Sequence, residues 1–253
     1  MNSLALVINS HSSNQDCLRL FFIQLEKYFE EQTFSNVYLF VDKIAEDFNL
    51  PTYVTIVPYE DEDSFTDQMI QCLSAIDENV ILYCNEDYLF YDSPDNNSIK
   101  NLASDLEHTL DLSYIRFVYA DIESFATYTE LHGKSLLYIP STSQCCFSQT
   151  LSLWKTSDYL KIHEHGPKAS IGSKGEAQGH FEILARGTCR DLNIQGCVIN
   201  DNKNKRGLFH YDSNIVPHVA SALVKGRWNL SEYPELVDIL SENKIDYNLR
   251  GSV

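Results

Sequence analysis

Short apolar runs, each cut off by a polar stretch, alternate with segments of helical period along the first 120 residues. Leu4-Ala5-Leu6-Val7-Ile8 is continuously apolar, the pattern of a parallel strand covered on both faces. It runs out at Asn9-Ser10-His11-Ser12-Ser13-Asn14, a polar loop rich in capping residues. A helix should follow, with Cys17, Phe21, Leu25 and Tyr28 on one stripe and Leu18, Phe22 and Phe29 beside it. Asn36–Asp42 and Tyr53–Val57 read as the second and third strands; Phe65, Met69, Cys72, Leu73 and Ile76 form the buried side of a second helix. Val80-Ile81-Leu82-Tyr83-Cys84 is a fourth strand that stops at Asn85-Glu86-Asp87. Ile99, Leu102, Ala103, Leu106 and Leu110 set a third helix over Ser98–Leu110, and Tyr114–Tyr119 is another strand. The order β-α-β-β-α-β-α-β predicts an α/β sheet with helices on its faces.

The second half is patterned differently. Ser135–Ile139 and Phe147–Leu153 read as strands and Thr156–Glu164 as a short helix. Gly166–Gly175 is a loop holding three of the ten glycines and two lysines, suited to contacting a ligand. A helix over Gly179–Arg190 follows, then strands Gln195–Asn200 and Gly207–Tyr211 around the basic turn Lys203-Asn204-Lys205-Arg206, and a closing helix over Ser231–Asn243. With no repeat, low-complexity tract or linker, residues 1–253 are expected to form a single domain, 1–120 being one half and 121–253 the other.

Composition narrows the function. Hydrophobic residues make up 43% of the 253 and aromatic residues 12%, enough for a large core. A net charge of −17 argues against nucleic acid and against anionic membrane surfaces as partners. The charge is unevenly placed: residues 1–133 carry 5 Lys/Arg against 24 Asp/Glu, and residues 134–253 carry 14 against 12. An anionic ligand is therefore expected to be met from the second half. Seven cysteines without a C-x-x-C pair point to a reducing compartment rather than to disulfides or zinc. With neither a signal-like N-terminus nor a membrane-length apolar run, a cytoplasmic protein without integral membrane contact is expected.

In open α/β sheets ligands bind beyond the carboxyl ends of the strands. Glu86 and Asp87 stand at such an end. Adjacent carboxylates repel unless a cation, a proton or a basic partner compensates, and oxygen ligands of this kind suit Mg²⁺ or Mn²⁺; alternatively the pair only caps the turn. His210, after Gly207-Leu208-Phe209, can complete such a site or be structural. Asp42, ending the second strand, can bond a ribose or cap its turn. Lys203, Lys205, Arg206, Lys225 and Arg227 can meet phosphate or simply be surface. Glu182, near a helix start beside the glycine-rich loop, is a candidate general base, with Glu176 as its rival; a helix-start Glu is also a common capping group. Neither G-x-G-x-x-G nor G-x-x-x-x-G-K-[ST] follows the first strand.

Asn85-Glu86-Asp87-Tyr88-Leu89 with its preceding strand resembles the metal-binding acidic element of glycosyltransferases of the GT-A fold, with an adjacent Glu-Asp pair in place of aspartate-any-aspartate. The segment Phe147–Tyr159, with Gln149, Trp154 and Asp158, resembles the part of those enzymes that lines the sugar and acceptor side. Phe181-Glu182, Phe209-His210, Pro217-His218-Val219, Ala222–Asn229 and Arg250-Gly251 extend the resemblance toward small bacterial and phage-encoded transferases. It implies a three-layer α/β/α Rossmann-like mixed sheet and a nucleoside-diphosphate sugar donor, commonly UDP-linked. The acceptor would be a glycan or another hydroxyl-bearing molecule. Mn²⁺ or Mg²⁺ would be held by Glu86, Asp87 and His210, with Ser10, His11, Ser12, Asp42 and Lys225 on the donor side and Glu182 or Glu176 as the base of an inverting transfer. A non-catalytic binding protein of the same fold, and a sugar-phosphate nucleotidyltransferase, are the alternatives.

Overall fold

A computed structural model describes residues 4–108, 110–120, 127–168, 174–201, 204–206 and 210–253. The first half runs β1 (Leu4–Asn9), α1 (Gln15–Tyr28), β2 (Asn36–Val41), β3 (Val54–Pro58), α2 (Phe65–Leu73), β4 (Val80–Asn85), β5 (Leu89–Phe90), α3 (Asn96–His108), β6 (Tyr114–Arg116) and β7 (Tyr119–Ala120). The second runs β8 (Thr127–Leu131), β9 (Lys134–Ile139), β10 (Ser152–Lys155), α4 (Thr156–His165), α5 (Lys174–Asp191) and β11 (Gly196–Ile199). Short elements close it: β12 (Lys205–Arg206), β13 (His210–Tyr211), β14 (His218–Val219), β15 (Leu223–Val224), β16 (Arg227–Trp228) and α6 (Leu236–Glu242).

Nine of these strands form one mixed sheet in the order β3-β2-β1-β4-β10-β6-β11-β9-β8. β1 to β4 are mutually parallel, whereas β10 runs antiparallel to both β4 and β6. Alternation along the strands splits the core in two. Leu4, Leu6, Ile8, Leu82 and Cys84 face α1, α3 and α6, and Ala5, Val7, Ile81 and Tyr83 face α2, α4 and α5. This is the three-layer α/β/α arrangement expected from the sequence. Among the described residues no helix is long and apolar enough to cross a membrane.

Several elements depart from the periodicity. The strand expected at Phe147–Leu153 is displaced to Ser152–Lys155, and the chain before it curls, with the Phe117 amide bonding Leu151 O at 3.0 Å. Helix α5 begins at Lys174, through glycines that would ordinarily weaken it. Phe181, Ala185 and Cys189, four residues apart and fully buried, hold it by packing. Glu182 is thereby more than two turns inside the helix and not a capping residue. α6 begins only at Leu236, past Pro234. β12 occupies part of the expected basic turn and bonds β13, which in turn bonds β7. Residues 169–173 of the glycine-rich loop, 202–203 and 207–209 lie outside the described residues.

Candidate functional site

β1 lies between β2 and β4: the chain leaves it toward β2 and β3 on one side and comes back to β4 on the other. Such a reversal opens a crevice at the carboxyl ends of the two central strands. Asn9 and Asn85 end β1 and β4 as register partners, and Asn9 Nδ2 donates to Asn85 Oδ1 at 3.4 Å.

The loop after β1 is held to the end of β2. Ser12 donates its amide to Asp42 Oδ1 at 2.7 Å and its hydroxyl to Oδ2 at 2.6 Å. Burial works to raise the Asp42 carboxyl, but these two bonds and nearby His11 outweigh it, so the group stays below its ordinary range. His11 Nδ1 lies 2.8 Å from Ser13 Oγ, and Nε2 is 3.1 Å from Asp61 and 3.9 Å from Asp42. Ser10 is buried under the loop, its carbonyl accepting from the Tyr59 hydroxyl at 2.7 Å. Ser10, His11, Ser12 and Asp42 are thus brought together. Asp61, from the exposed acidic run Glu60-Asp61-Glu62-Asp63, joins them, and His11, Asp42 and Asp61 each offer a ligand atom within 4.8 Å of the others.

Across the crevice, the acidic pair after β4 divides. Glu86 is buried and accepts from Asn14 Nδ2 at 2.5 Å, while Asp87 turns to the later chain, accepting from Ser221 Oγ at 3.3 Å. The Ala222 amide also bonds Asp87 O at 2.9 Å. Burial, then the charge of Glu86, push the Asp87 carboxyl up to about 7. Carboxylate oxygens are donors of the kind that suits a divalent cation, but these two side chains turn to different partners, and among the described residues the group with three potential ligand atoms within 4.8 Å of one another is His11, Asp42 and Asp61. The side chain of His210 lies outside the described residues, as does that of Glu176, whose backbone is helical in α5. The histidine that does stand beside the acidic element is His218, buried and edge-on to Tyr88 with ring centroids 5.7 Å apart.

Tyr88 carries the site further along the sheet. Its hydroxyl donates to Gln149 O at 3.1 Å, and the Gln149 amide donates to Glu182 Oε1 at 2.5 Å. Because Ser152 pairs with Tyr83 and with Arg116, this loop lies beyond the carboxyl ends of β4 and β6. Burial raises the Glu182 carboxyl, opposed by the Gln149 amide, Arg116, Ser148 and Arg186. Lys225 is exposed at the tip of the β15–β16 hairpin, where it and Gly226 both have positive φ, 51° and 74°.

Arg250 joins that hairpin to the first loop. Its guanidinium bonds both oxygens of Asp16, Ser13 O at 2.7 Å, Asn14 Oδ1 at 3.2 Å and Gly226 O at 3.3 Å. Asn14 and Arg116 carry no motif and are invisible as site residues in the sequence; Gln149 and Arg250 are marked there only by resemblance.

No protein-family model matches the chain, and no curated protein matches it in sequence. Solved structures do. S. aureus TarS 1–349 in complex with UDP superposes with a TM-score of 0.49 at 11% identity, over 98% of this chain and 68% of that one. CMP:2-keto-3-deoxy-manno-octonic acid synthetase complexed with CTP gives 0.48 at 10% identity, over 96% and 100%. Francisella tularensis 2-C-methyl-D-erythritol 4-phosphate cytidylyltransferase gives 0.44 at 10% identity, over 80% and 93%. In another TarS 1–349 structure the chain spans 60% of the neighbour's length.

Proposed function

We propose that the protein is a GT-A-type glycosyltransferase, moving a sugar from a nucleoside-diphosphate donor, UDP-linked in the first instance, to a hydroxyl acceptor. One observation carries this reading: three groups far apart in sequence form a single row along the carboxyl edge of the sheet. His11 and Ser12 after β1 and Asp42 after β2 stand together, Glu86 and Asp87 follow at the β4 end, and Glu182 lies beyond them through Tyr88 and Gln149. The donor's nucleoside would lie against the first loop and its diphosphate near the acidic pair. A Mn²⁺ or Mg²⁺ ion held by Glu86 and Asp87 would supply charge stabilisation to the departing diphosphate. Glu182, with its carboxyl raised by burial, suits a base that takes the acceptor's proton, giving inversion. A second reading, a protein that binds without transferring, is favoured by the internal engagement of both acids and by Arg250 resting on the first loop.

The test is a thermal-shift panel of nucleotide-sugars with and without Mn²⁺, followed by release of nucleoside diphosphate from any donor that stabilises. UDP with Mn²⁺ is expected to raise the melting temperature, and Glu86→Ala to abolish the shift. Glu182→Gln should retain the shift and lose about 10²–10⁴-fold in turnover. No stabilisation by any nucleotide-sugar sinks the proposal, and pyrophosphate release from a nucleoside triphosphate would replace it with nucleotidyl transfer.

A further inference from the structure

Beside Glu182 the chain collects positive charge that the transfer reaction as described does not use. Arg116, at the end of β6, is only 7% exposed; its Nη2 donates to Cys145 O at 2.9 Å and its guanidinium lies 5.6 Å from the Tyr114 ring centroid. Arg186 lies four residues after Glu182 in α5, on the same helix face, and its Nη1 donates to Gln144 Oε1 at 3.3 Å. The two guanidiniums therefore converge on the Gln144–Cys145 turn, one from the sheet and one from the helix. Each has a buried Nε with no hydrogen-bond partner. Gln149, whose amide holds Glu182, is 3% exposed, and neither Nε2 nor Oε1 of its side chain has a partner.

Buried polar groups are ordinarily bonded, and an unpaired guanidinium or carboxamide is costly to bury. Two cations against one carboxylate leave a surplus positive charge here, in a protein whose net charge is −17. Guanidinium donors match the paired oxygens of an acid group, and a carboxamide adds both a donor and an acceptor for a neighbouring hydroxyl.

From this cluster we infer that the hydroxyl acceptor carries an oxyanion, a phosphate or a carboxylate, held by Arg116 and Arg186, with its hydroxyl set by Gln149 against Glu182. The inference rests on the transferase reading above and names the acceptor's chemical class. Arg186 comes from the more basic second half of the chain, whereas Arg116 is one of only five basic residues among residues 1–133.

The test is titration calorimetry of the intact protein with inorganic phosphate, with acetate and with glycerol. Each is run with and without saturating UDP, which occupies the donor's diphosphate position. Phosphate or acetate is expected to bind in the presence of UDP and glycerol not to. Arg186→Gln, at a half-buried position, should weaken oxyanion binding at least tenfold. Gln149→Leu should weaken it less, and Lys161→Gln, which removes one exposed charge elsewhere, should leave binding unchanged. Oxyanion binding that depends on Arg186 supports the inference for whichever acid binds. Absence of oxyanion binding, or binding indifferent to Arg186→Gln, overturns it. If UDP itself fails to bind, the donor reading fails, while the titration without UDP still tests the arginine pair.

Discussion

His163 lies flat against Phe181, the ring centroids 4.5 Å apart and the planes 4° from parallel, with Phe65, Phe147 and Tyr159 set edgewise around it. It is fully buried, and neither ring nitrogen has a hydrogen-bond partner. Burial holds the imidazole neutral and brings its pKa down to about 3. In the unfolded chain a histidine titrates near about 6.5. Between those values the unfolded chain takes up a proton that the folded protein refuses. The residue's contribution is therefore complete above about pH 6.5 and is lost progressively toward pH 3, by roughly 2 kcal/mol at pH 5. His163→Phe, which keeps the stack and cannot titrate, should lose less stability than the parent between pH 7.5 and pH 5, by about that amount. Urea unfolding at the two pH values measures it, and equal losses in both proteins would refute the assignment. At this scale the sequence was legible where an apolar run breaks into polar residues, as at Ser12, Asp42, Glu86 and Asp87. It was silent about Asn14 and Arg116, whose roles arise from partners 72 and 29 positions away along the chain.

The elements most easily read were those whose pattern agrees with their packing: β1, β2, β4, α1 and α4 fall close to where periodicity put them. Those misread are governed by distant contacts. β10 is fixed by pairing on both edges, with Ile81 and Tyr114 opposite Trp154, and not by its own apolar run. α5 persists through its glycines because one face is buried. The β15–β16 hairpin was not read as an element at all; its turn takes positive φ at both Lys225 and Gly226. What anchors that hairpin is the segment after it: the Trp228 amide bonds Gly251 O at 3.0 Å, the Val253 amide bonds Trp228 O at 3.0 Å, and Arg250 reaches over to the loop after β1. Charge-assisted bonds of this kind contribute about 1.5–3 kcal/mol each, reduced where the partner is exposed, as Asp16 is. Arg250→Ala is expected to cost about 2 kcal/mol in urea unfolding and to speed amide exchange at Ser12–Asn14. Arg250→Lys should recover little, because an ammonium cannot fork across both Asp16 oxygens and Ser13 O. Unchanged exchange in Arg250→Ala would mean that the first loop holds its shape without the strap.

Over the whole molecule, the two halves separated by charge are not separated in space. β6 belongs to the first 120 residues, yet β10 from the second half lies between it and β4, and β11 and β9 follow on its other side. Neither half can complete its part of the sheet alone, because removing β10 would expose the ladder edges of both β4 and β6. The sequence could indicate an α/β sheet and the absence of a linker. It could not indicate this interleaving, since strand order is set by which edges meet and not by any local pattern. The consequence is a cooperative unit: residues 1–253 should unfold in a single transition, with no stage at which residues 1–120 stay folded. The two tryptophans are placed to report on it. Trp154 lies in the core layer facing α2, α4 and α5, stacked on Tyr159 with centroids 4.8 Å apart, and it bridges β4 and β6. Trp228 lies in the opposite layer with α1, α3 and α6. Single-tryptophan variants, Trp228→Phe and Trp154→Phe, followed by fluorescence through a urea titration should each give a midpoint that coincides with the same variant's far-UV circular dichroism. A dichroism midpoint well above the Trp154 fluorescence midpoint would show helices of the first half surviving the loss of β10, and the two halves would then be separate folding units that share an edge.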